Sequence, residues 1–421
     1  MTKHCVAVLS LACVTLVFWQ AAGAQDGDAA LERAIDVLQA APVVDGHNDL
    51  PWVIREKFGN NVEGYDISVR AQFDTDLPRL REGQVGTQFW SVYVPSSMTP
   101  VEAMTAQLEQ IDIAHRIINM YPDDLMFAAS IADIDAAREQ GKIASLLGME
   151  GGHTIVNSLG ALRSYYDLGV RYMTITHFHS HDWADSATGD ARHEGITEFG
   201  REVIREMNRL GMLVDLSHVS AETMNDILDV AEAPVIFSHS SARGLTNHVR
   251  NVPDSVLERM RDNGGVVMVT FIPAYVSEER REWEVDMIPL LKNVSTNAEW
   301  EEVGKMYREE HGTPPLATLS DVADHIEYVA RVAGHDHVGI GSDFYGASGD
   351  ELIQGVEDVS GFPNLIAELA RRGWSDENLA KLSRGNLLRA FSEAEKVATK
   401  LRQERPPSIK TIEELDGHSG I

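Results

Sequence analysis

The sequence predicts an α/β protein, a (β/α)8 barrel that carries its chemistry at the C-terminal ends of its strands. Three observations predict it. Eight short apolar runs lie along the chain, amphipathic helical stretches separate them, and His, Glu or Asp residues stand where most of the runs end. Continuous rather than alternating apolar runs suit parallel strands buried on both faces. Eight of them alternating with helices suit a closed barrel of the TIM type better than an open sheet.

In order, the runs are Pro42–His47, Val85–Val94, Ile143–Glu150, Val170–His177, Met212–His218, Pro234–His239, Val266–Phe271 and His337–Asp343. Between them, Val101–Asn119 repeats apolar residues at Ile111, Ala114, Ile117 and Ile118, and Thr197–Leu210 does so at Phe199, Val203, Ile204 and Met207. Ser220–Val230, Asp254–Arg261 and Leu319–Val332 read the same way, with Ser220 and Asp254 as expected N-caps. Residues 277–315, rich in Glu and Trp, break the repeat and read as a helical insertion near the barrel mouth. The polar tail from Gln403, with Pro406-Pro407, reads as an arm or a frayed end.

Residues 1–24 have the pattern of a secretory signal peptide: Lys3, an apolar run from Val6 to Trp19, then Ala22-Gly23-Ala24. The run is short for a membrane span of roughly 20 apolar residues. The expectation is therefore an exported protein, periplasmic or secreted, with residues 25–421 as one domain and no stable membrane insertion. Both cysteines, Cys5 and Cys13, fall in this leader. Beyond it there is neither a disulfide framework nor a thiolate metal site. The 65 acidic against 36 basic residues give a net charge of -29, a field that repels phosphate backbones and disfavours nucleic-acid partners.

The polar residues fall at the strand ends where a barrel of this class builds its site. They are His47 and Asp49, Glu150, His177, His218, His239 and Asp343. Each alone has a plain structural reading as a cap, a turn residue or a satisfied core histidine. Those readings do not explain why all gather at one end of the barrel. Imidazoles and carboxylates without thiolates suit Zn2+, with Mn2+ or Co2+ as substitutes. Glu150 is the natural bridge between two cations, His47 and Asp49 completing one site and His218 and His239 the other. Among the nearby histidines, His179 and His181 belong to a loop, and His335 and His337 lie at the opposite end of the barrel. Arg250 is either a solvated helix-start arginine or a bidentate reader of a substrate carboxylate.

Four motifs point to a family: Asp45-Gly46-His47-Asn48-Asp49-Leu50-Pro51, Gly148-Met149-Glu150-Gly151-Gly152-His153, Asp215-Leu216-Ser217-His218 and Ser238-His239-Ser240-Ser241-Ala242. In them the chain resembles the membrane (renal-type) dipeptidase family of zinc metallopeptidases, and looks like a bacterial secreted member. Arg250-Asn251-Val252-Pro253-Asp254 and Gly341-Ser342-Asp343-Phe344 continue the resemblance, and it covers nearly the whole chain in order. It implies a two-zinc barrel, commonly a homodimer, that hydrolyses dipeptides through a metal-bridging hydroxide, including some with a D-configured C-terminal residue. It implies His47 and Asp49 on one metal, Glu150 bridging, and His218 and His239 on the other. It further implies His177 on the substrate carbonyl, Arg250 on the free carboxylate, Tyr275 and Tyr93 lining the pocket, and Asp343 moving protons. Two stretches depart from the family: Phe178-His179-Ser180-His181-Asp182 replaces a Cys-Asn-x-Pro run, and Tyr345 stands where a second Asp is common. Neither touches an expected ligand, so both bear on side-chain preference.

A related barrel hydrolase acting on another amide or lactone, a β-lactam included, is the first alternative. Lactonases and phosphotriesterases of that kind typically carry a His-x-His on strand one and a bridging lysine, where this chain has His47-x-Asp49 and Glu150. A non-enzymatic binding protein is the second, and it conflicts with the retention of every expected ligand and of Asp343.

Overall fold

The computed structural model describes residues 28–291, 297–347 and 352–417, so the expected leader lies outside the described residues. Nine strands are present among them: β1 (Val43–Asn48), β2 (Val85–Ser91), β3 (Leu125–Phe127), β4 (Ile143–Glu150), β5 (Val170–Thr174), β6 (Leu213–Asp215), β7 (Ile236–Phe237), β8 (Val266–Val269) and β9 (Val338–Ile340). The sheet runs β2-β1-β9-β8-β7-β6-β5-β4 in parallel pairs. It closes where β4 returns to β2, from Thr87 beside Ala144 to Ser91 beside Gly148. The result is the eight-stranded parallel (β/α)8 barrel that the eight runs predict. Every residue of β1, β4, β6 and β8 is buried, as expected of parallel strands covered on both faces.

β3 is the strand that the sequence reading lacks. It pairs with the first residues of β4, Leu125 beside Ile143 to Phe127 beside Ser145, on the edge that β5 occupies from Leu147 onward. Three residues, two of them half-buried, are too few to give a periodic signal. Several predicted runs are also longer than their strands. The run Met212–His218, for instance, leaves the ladder at Asp215 because the chain turns there, and His218 takes a left-handed φ of 71°.

The helices are set by their ends. Thr99 and Glu102 form a capping box ahead of Pro100–Met120, and Thr197 caps Glu198–Leu210, which stops at Gly211 in the left-handed region. Ser220 caps Ala221–Val230 as expected, its side chain accepting from the Thr223 amide. Asp254 is not a cap: Pro253 holds that extended position, and Asp254 is the first residue of the helix Asp254–Asn263. There its carboxylate favours the helix N-terminus and accepts from Tyr328 Oη at 2.8 Å.

The segment between β8 and β9 carries helices Glu278–Glu284, Ile288–Leu291 and Asn297–His311. The tail is an ordered arm as far as residue 417. Arg405 donates to Arg205 O at 2.9 Å, and Asp416 accepts from Phe199 N at 3.1 Å at the start of the helix Glu198–Leu210. No helix among the described residues is long and apolar enough to cross a membrane.

Phe199 shows how that helix is fastened to the barrel. It is fully buried, and its ring meets Trp183 edge-on at 6.4 Å. Truncation leaves a cavity with a rigid indole on one wall. We expect Phe199→Ala to destabilise the protein by about 3–5 kcal/mol. Urea unfolding followed by Trp fluorescence checks this, and an unchanged midpoint would refute the packing role.

Candidate metal centre and substrate site

The strand ends bring seven titratable groups into one cup. His47 and Asp49 come from the end of β1, Glu150 is the last residue of β4, and His177, His218, His239 and Asp343 follow β5, β6, β7 and β9. All are buried. Glu150 occupies the centre and its two oxygens face different partners. Oε2 lies 3.4 Å from His47 Nε2. Oε1 lies 2.9 Å from His218 Nε2, 3.4 Å from His239 Nε2 and 4.0 Å from His177 Nε2. Asp49 Oδ2 and Asp343 Oδ1 approach His47 Nε2 from the other side, at 3.3 and 3.9 Å. Three groups of three donors are each compact enough to hold a cation: His47, Glu150 and His239; Glu150, His177 and His218; and His47, Asp49 and Asp343.

Neighbouring polar groups set which nitrogen of each ring faces the cup. Tyr172 Oη donates to Gly46 O at 3.1 Å, so it accepts from His47 Nδ1 at 2.7 Å and leaves the Nε2 lone pair pointing inward. Gly148 makes room for this tyrosine, since a Cβ there would fall 2.0 Å from Tyr172 Cζ. Ser238 Oγ donates to Asp215 Oδ2 at 2.5 Å and therefore accepts from His239 Nδ1 at 2.8 Å. Asp215 is itself held by the amides of Ser217 and Ser238 and by the Thr174 hydroxyl. The sequence reading gave Tyr172, Asp215 and Ser238 no role of their own. The available signal was a polar residue inside a buried apolar strand, which has to be bonded to something.

The electrostatics push the two central carboxylates in opposite directions. Burial works against the Glu150 charge, yet His47, His218 and His239 outweigh it and hold the carboxyl well below its usual range. Burial pushes Asp343 well above the usual range, and Asp49 and Glu150 add to this against the opposing pull of His47. Pairs of acids driven apart in this way mark acid–base assignments. Burial also lowers His177 to about 4 and His239 to about 3, so both imidazoles are neutral near pH 7.

The donor set fits a divalent cation. His239 Nε2, with Nδ1–H committed to Ser238, presents its lone pair 3.0 Å from His218 Nε2. His47 Nε2 and Asp49 Oδ1 are buried without a hydrogen-bond partner. Inward lone pairs and carboxylate oxygens at this spacing need a shared positive centre, and nitrogen and oxygen donors suit zinc and its neighbours.

Comparison with known proteins agrees. The family model described as membrane dipeptidase (peptidase family M19) matches residues 31–405. The chain belongs to the membrane dipeptidase family. It is a hydrolase and a metallopeptidase of the dipeptidase type. Dipeptidase 3 of Mus musculus is 39% identical over 384 residues, which covers 90% of this chain and 70% of the mouse protein. Two solved structures share the fold. The probable dipeptidase PvdM from Pseudomonas aeruginosa superposes with a TM-score of 0.76 at 24% identity, over 88% of this chain and 99% of its own. A metallo peptidase from Rhodobacter sphaeroides, liganded with a phosphinate mimic of the dipeptide L-Ala-D-Ala, does so with a TM-score of 0.70 at 23% identity, over 84% and 99%.

Around the metal donors, the dipeptidase has a second set of groups. Arg250 is not a solvated arginine: it is 1% exposed, and its Nε and Nη1 have no hydrogen-bond partner. Nη2 reaches His239 O at 3.5 Å, and the guanidinium lies 5.4 Å from the Tyr275 ring centre. Tyr93 packs on His177 at 4.7 Å between ring centres, and Phe178 covers the same imidazole at 3.9 Å while remaining partly exposed. Phe178 was noted in the sequence only as a departure from the family. His179 bonds to Ser96 Oγ at 2.7 Å and His181 to Ile175 O at 2.8 Å, and neither joins a compact donor group among the described residues. His337, at the far end of the barrel, bonds to Gly265 O at 2.8 Å.

If Tyr172 orients His47, removing its hydroxyl should loosen the metal without unfolding the barrel. We expect Tyr172→Phe to weaken zinc affinity about 10- to 100-fold. Competition with a fluorescent chelator measures this, and wild-type affinity would show that the hydrogen bond is irrelevant to the centre.

Proposed function

We propose that this chain cleaves the peptide bond of dipeptides with two divalent cations, zinc by donor type and Mn2+ or Co2+ as substitutes, bridged by Glu150. The carrying observation is that the two oxygens of Glu150 face separate imidazoles, Oε2 toward His47 and Oε1 toward His218 and His239. In this reading His47 and Asp49 hold one cation, and His218 and His239 hold the other. Bound there, the cations supply Lewis-acid activation of water and of the scissile carbonyl.

The protein groups do the rest. Arg250, buried and with two guanidinium nitrogens unpaired, takes the substrate carboxylate bidentately. Tyr275 lies against the same guanidinium and Tyr93 against His177, which places both in the pocket lining. His177, neutral and buried, donates to the carbonyl oxygen as negative charge develops on it. Asp343, its carboxylate made more basic by burial, accepts the proton of the attacking water and, now protonated, passes it to the leaving amine. The carboxylates around His47 favour a free ammonium at the other end, so both termini of the substrate must fall within one cup, which selects dipeptides. The Rhodobacter neighbour's phosphinate ligand mimics a dipeptide with a D-configured C-terminal residue, which supports including such substrates. The leader-like residues 1–24 support export to the periplasm or beyond, and the family resemblance supports a homodimer.

A panel of L-L, L-D and D-L dipeptides and tripeptides, assayed with zinc-loaded enzyme and a chelated control, tests the reading. We expect chelator-sensitive cleavage confined to dipeptides, with two zinc ions per chain by elemental analysis. Protein that binds zinc yet leaves every dipeptide intact would refute it in favour of another amide or lactone. Two variants test the roles. Asp343→Asn should lower kcat by about 100-fold or more. Arg250→Ala should raise KM about tenfold or more for substrates with a free carboxylate and leave amide-capped ones unaffected. Equal effects on both kinds of substrate would defeat the carboxylate assignment.

A further inference from the structure

Asp343 enters the cup on a turn, residues 343–346, whose backbone is under constraint. The Gly346 amide donates to Asp343 O at 2.9 Å, closing the turn. Asp343 and Tyr345 both have left-handed φ values, 61° and 77°. Tyr345 thus fills the turn position that ordinarily takes Gly or Asn. Gly346 has to be small: a Cβ there would lie 2.5–2.8 Å from the Asp343 carboxyl atoms. A β-carbon in the left-handed region persists only when the surroundings hold it there.

The surroundings are specific. Tyr345 Oη accepts from the Thr75 amide at 2.9 Å, and the backbone N–H of Tyr345 donates to the Asp74 carboxylate. Thr75, fully buried, is tied in turn to β1, because Asn48 Nδ2 donates to Thr75 Oγ1 at 2.9 Å. Asn48 stands between His47 and Asp49, and the same stretch is bonded directly to the turn, Asp343 N to His47 O at 3.1 Å and Asp49 N to Phe344 O at 3.2 Å. Two direct bonds and one detour through Thr75 and Tyr345 therefore close a ring between the β1 donors and Asp343.

We propose that Tyr345 is a positioning residue of the reaction: its hydroxyl, seated on the Thr75 amide, fixes the turn that sets Asp343 in register with His47 and Asp49. Without that bond the strained turn is free to relax, and the Asp343 carboxyl moves with it. The inference rests on the proton-transfer role proposed for Asp343. It gives a structural task to the position at which this chain departs from its family.

The test is a double-mutant cycle with Tyr345→Phe and Asp343→Asn, assayed on the most rapidly cleaved dipeptide of the panel. Zinc content and Tm are measured on each variant. For Tyr345→Phe we expect kcat to fall about 10- to 100-fold with KM within about twofold, since small misplacements of a reacting group act on turnover. Zinc content and Tm should stay close to wild type. In the Asp343→Asn background the same change should cost nothing further, as for residues that act as a unit. Wild-type kcat in Tyr345→Phe, a loss that multiplies through in the double variant, or a loss tracking zinc or Tm would each overturn the proposal. Should Tyr345→Phe fail to fold, Tyr345→Asn also removes the hydroxyl with a residue type that tolerates left-handed backbone, and an unchanged kcat there would overturn it equally. Near-wild-type turnover in Asp343→Asn would instead remove the proton-transfer role on which the inference rests.

Discussion

A carboxylate taken out of water loses several kcal/mol of solvation unless other groups replace it. Glu150, 4% exposed at the end of β4, is such a group, and much of the polar construction at the top of the barrel serves it. Three imidazole nitrogens stand within 3.4 Å of its two oxygens. They can do so only because each is aimed by something behind it or held by its own strand end. Tyr172 and the Gly46 carbonyl aim His47, and Asp215 and Ser238 aim His239. Because these outer groups lie on β1, β5 and β6 and just after β7, the closure of the barrel is itself a condition of the site. A sheet opened between any two of them would separate donors that now lie within hydrogen-bonding distance.

That dependence explains which features were legible in the sequence. Eight buried parallel strands leave eight apolar runs, and the residues that end them are polar because they face the cup. His47, Asp49, Glu150, His177, His218, His239 and Asp343 could therefore be found by position alone. The outer groups could not. Tyr172 looks like an ordinary apolar strand residue until the His47 ring is seen 2.7 Å from its hydroxyl, and Asp215 sits inside the run Met212–His218 with nothing local to show its partners. Arg250 was ambiguous for a related reason. Its burial is decided by long-range packing under the loop after β7, which no local pattern records. The three residues of β3 escaped because a strand so short, with two residues half-buried, carries no period. Asp254 was misplaced by one residue because proline, lacking an N–H, takes the cap position without a side-chain bond.

The two acids of the cup show how one environment assigns two roles. Glu150 and Asp343 are both buried, and burial raises the pKa of each. The difference lies in their neighbours. Glu150 has imidazoles on both oxygens, whereas Asp343 has one imidazole at 3.9 Å and two carboxylates nearby. Exchanging the residue types would not exchange the roles, because the roles belong to the positions. This is why the geometry of the turn bearing Asp343 matters as much as the identity of the residue. A carboxyl proposed to carry a proton from water to the leaving nitrogen is useful only where it reaches both.

Backbone strain is present at the same place. His218, Asp343 and Tyr345 are three of the non-glycine residues with left-handed backbone, and two of them line the cup. A left-handed residue costs of order 1–3 kcal/mol, a cost that persists only where surrounding bonds over-determine the conformation. Around residues 343–346 those bonds run to the end of β1, beside the candidate metal donors His47 and Asp49, and to the loop at residues 74–75. A chain evolving only for stability would place glycine at 345 and relieve the turn. Tyrosine there forgoes that relief and gains a hydroxyl that reaches the Thr75 amide, so the turn is strained and anchored at once. Strain alone would loosen the turn and the anchor alone would not require left-handed backbone. Their combination is what a group needs when it must be held against relaxation at a fixed distance from its neighbours.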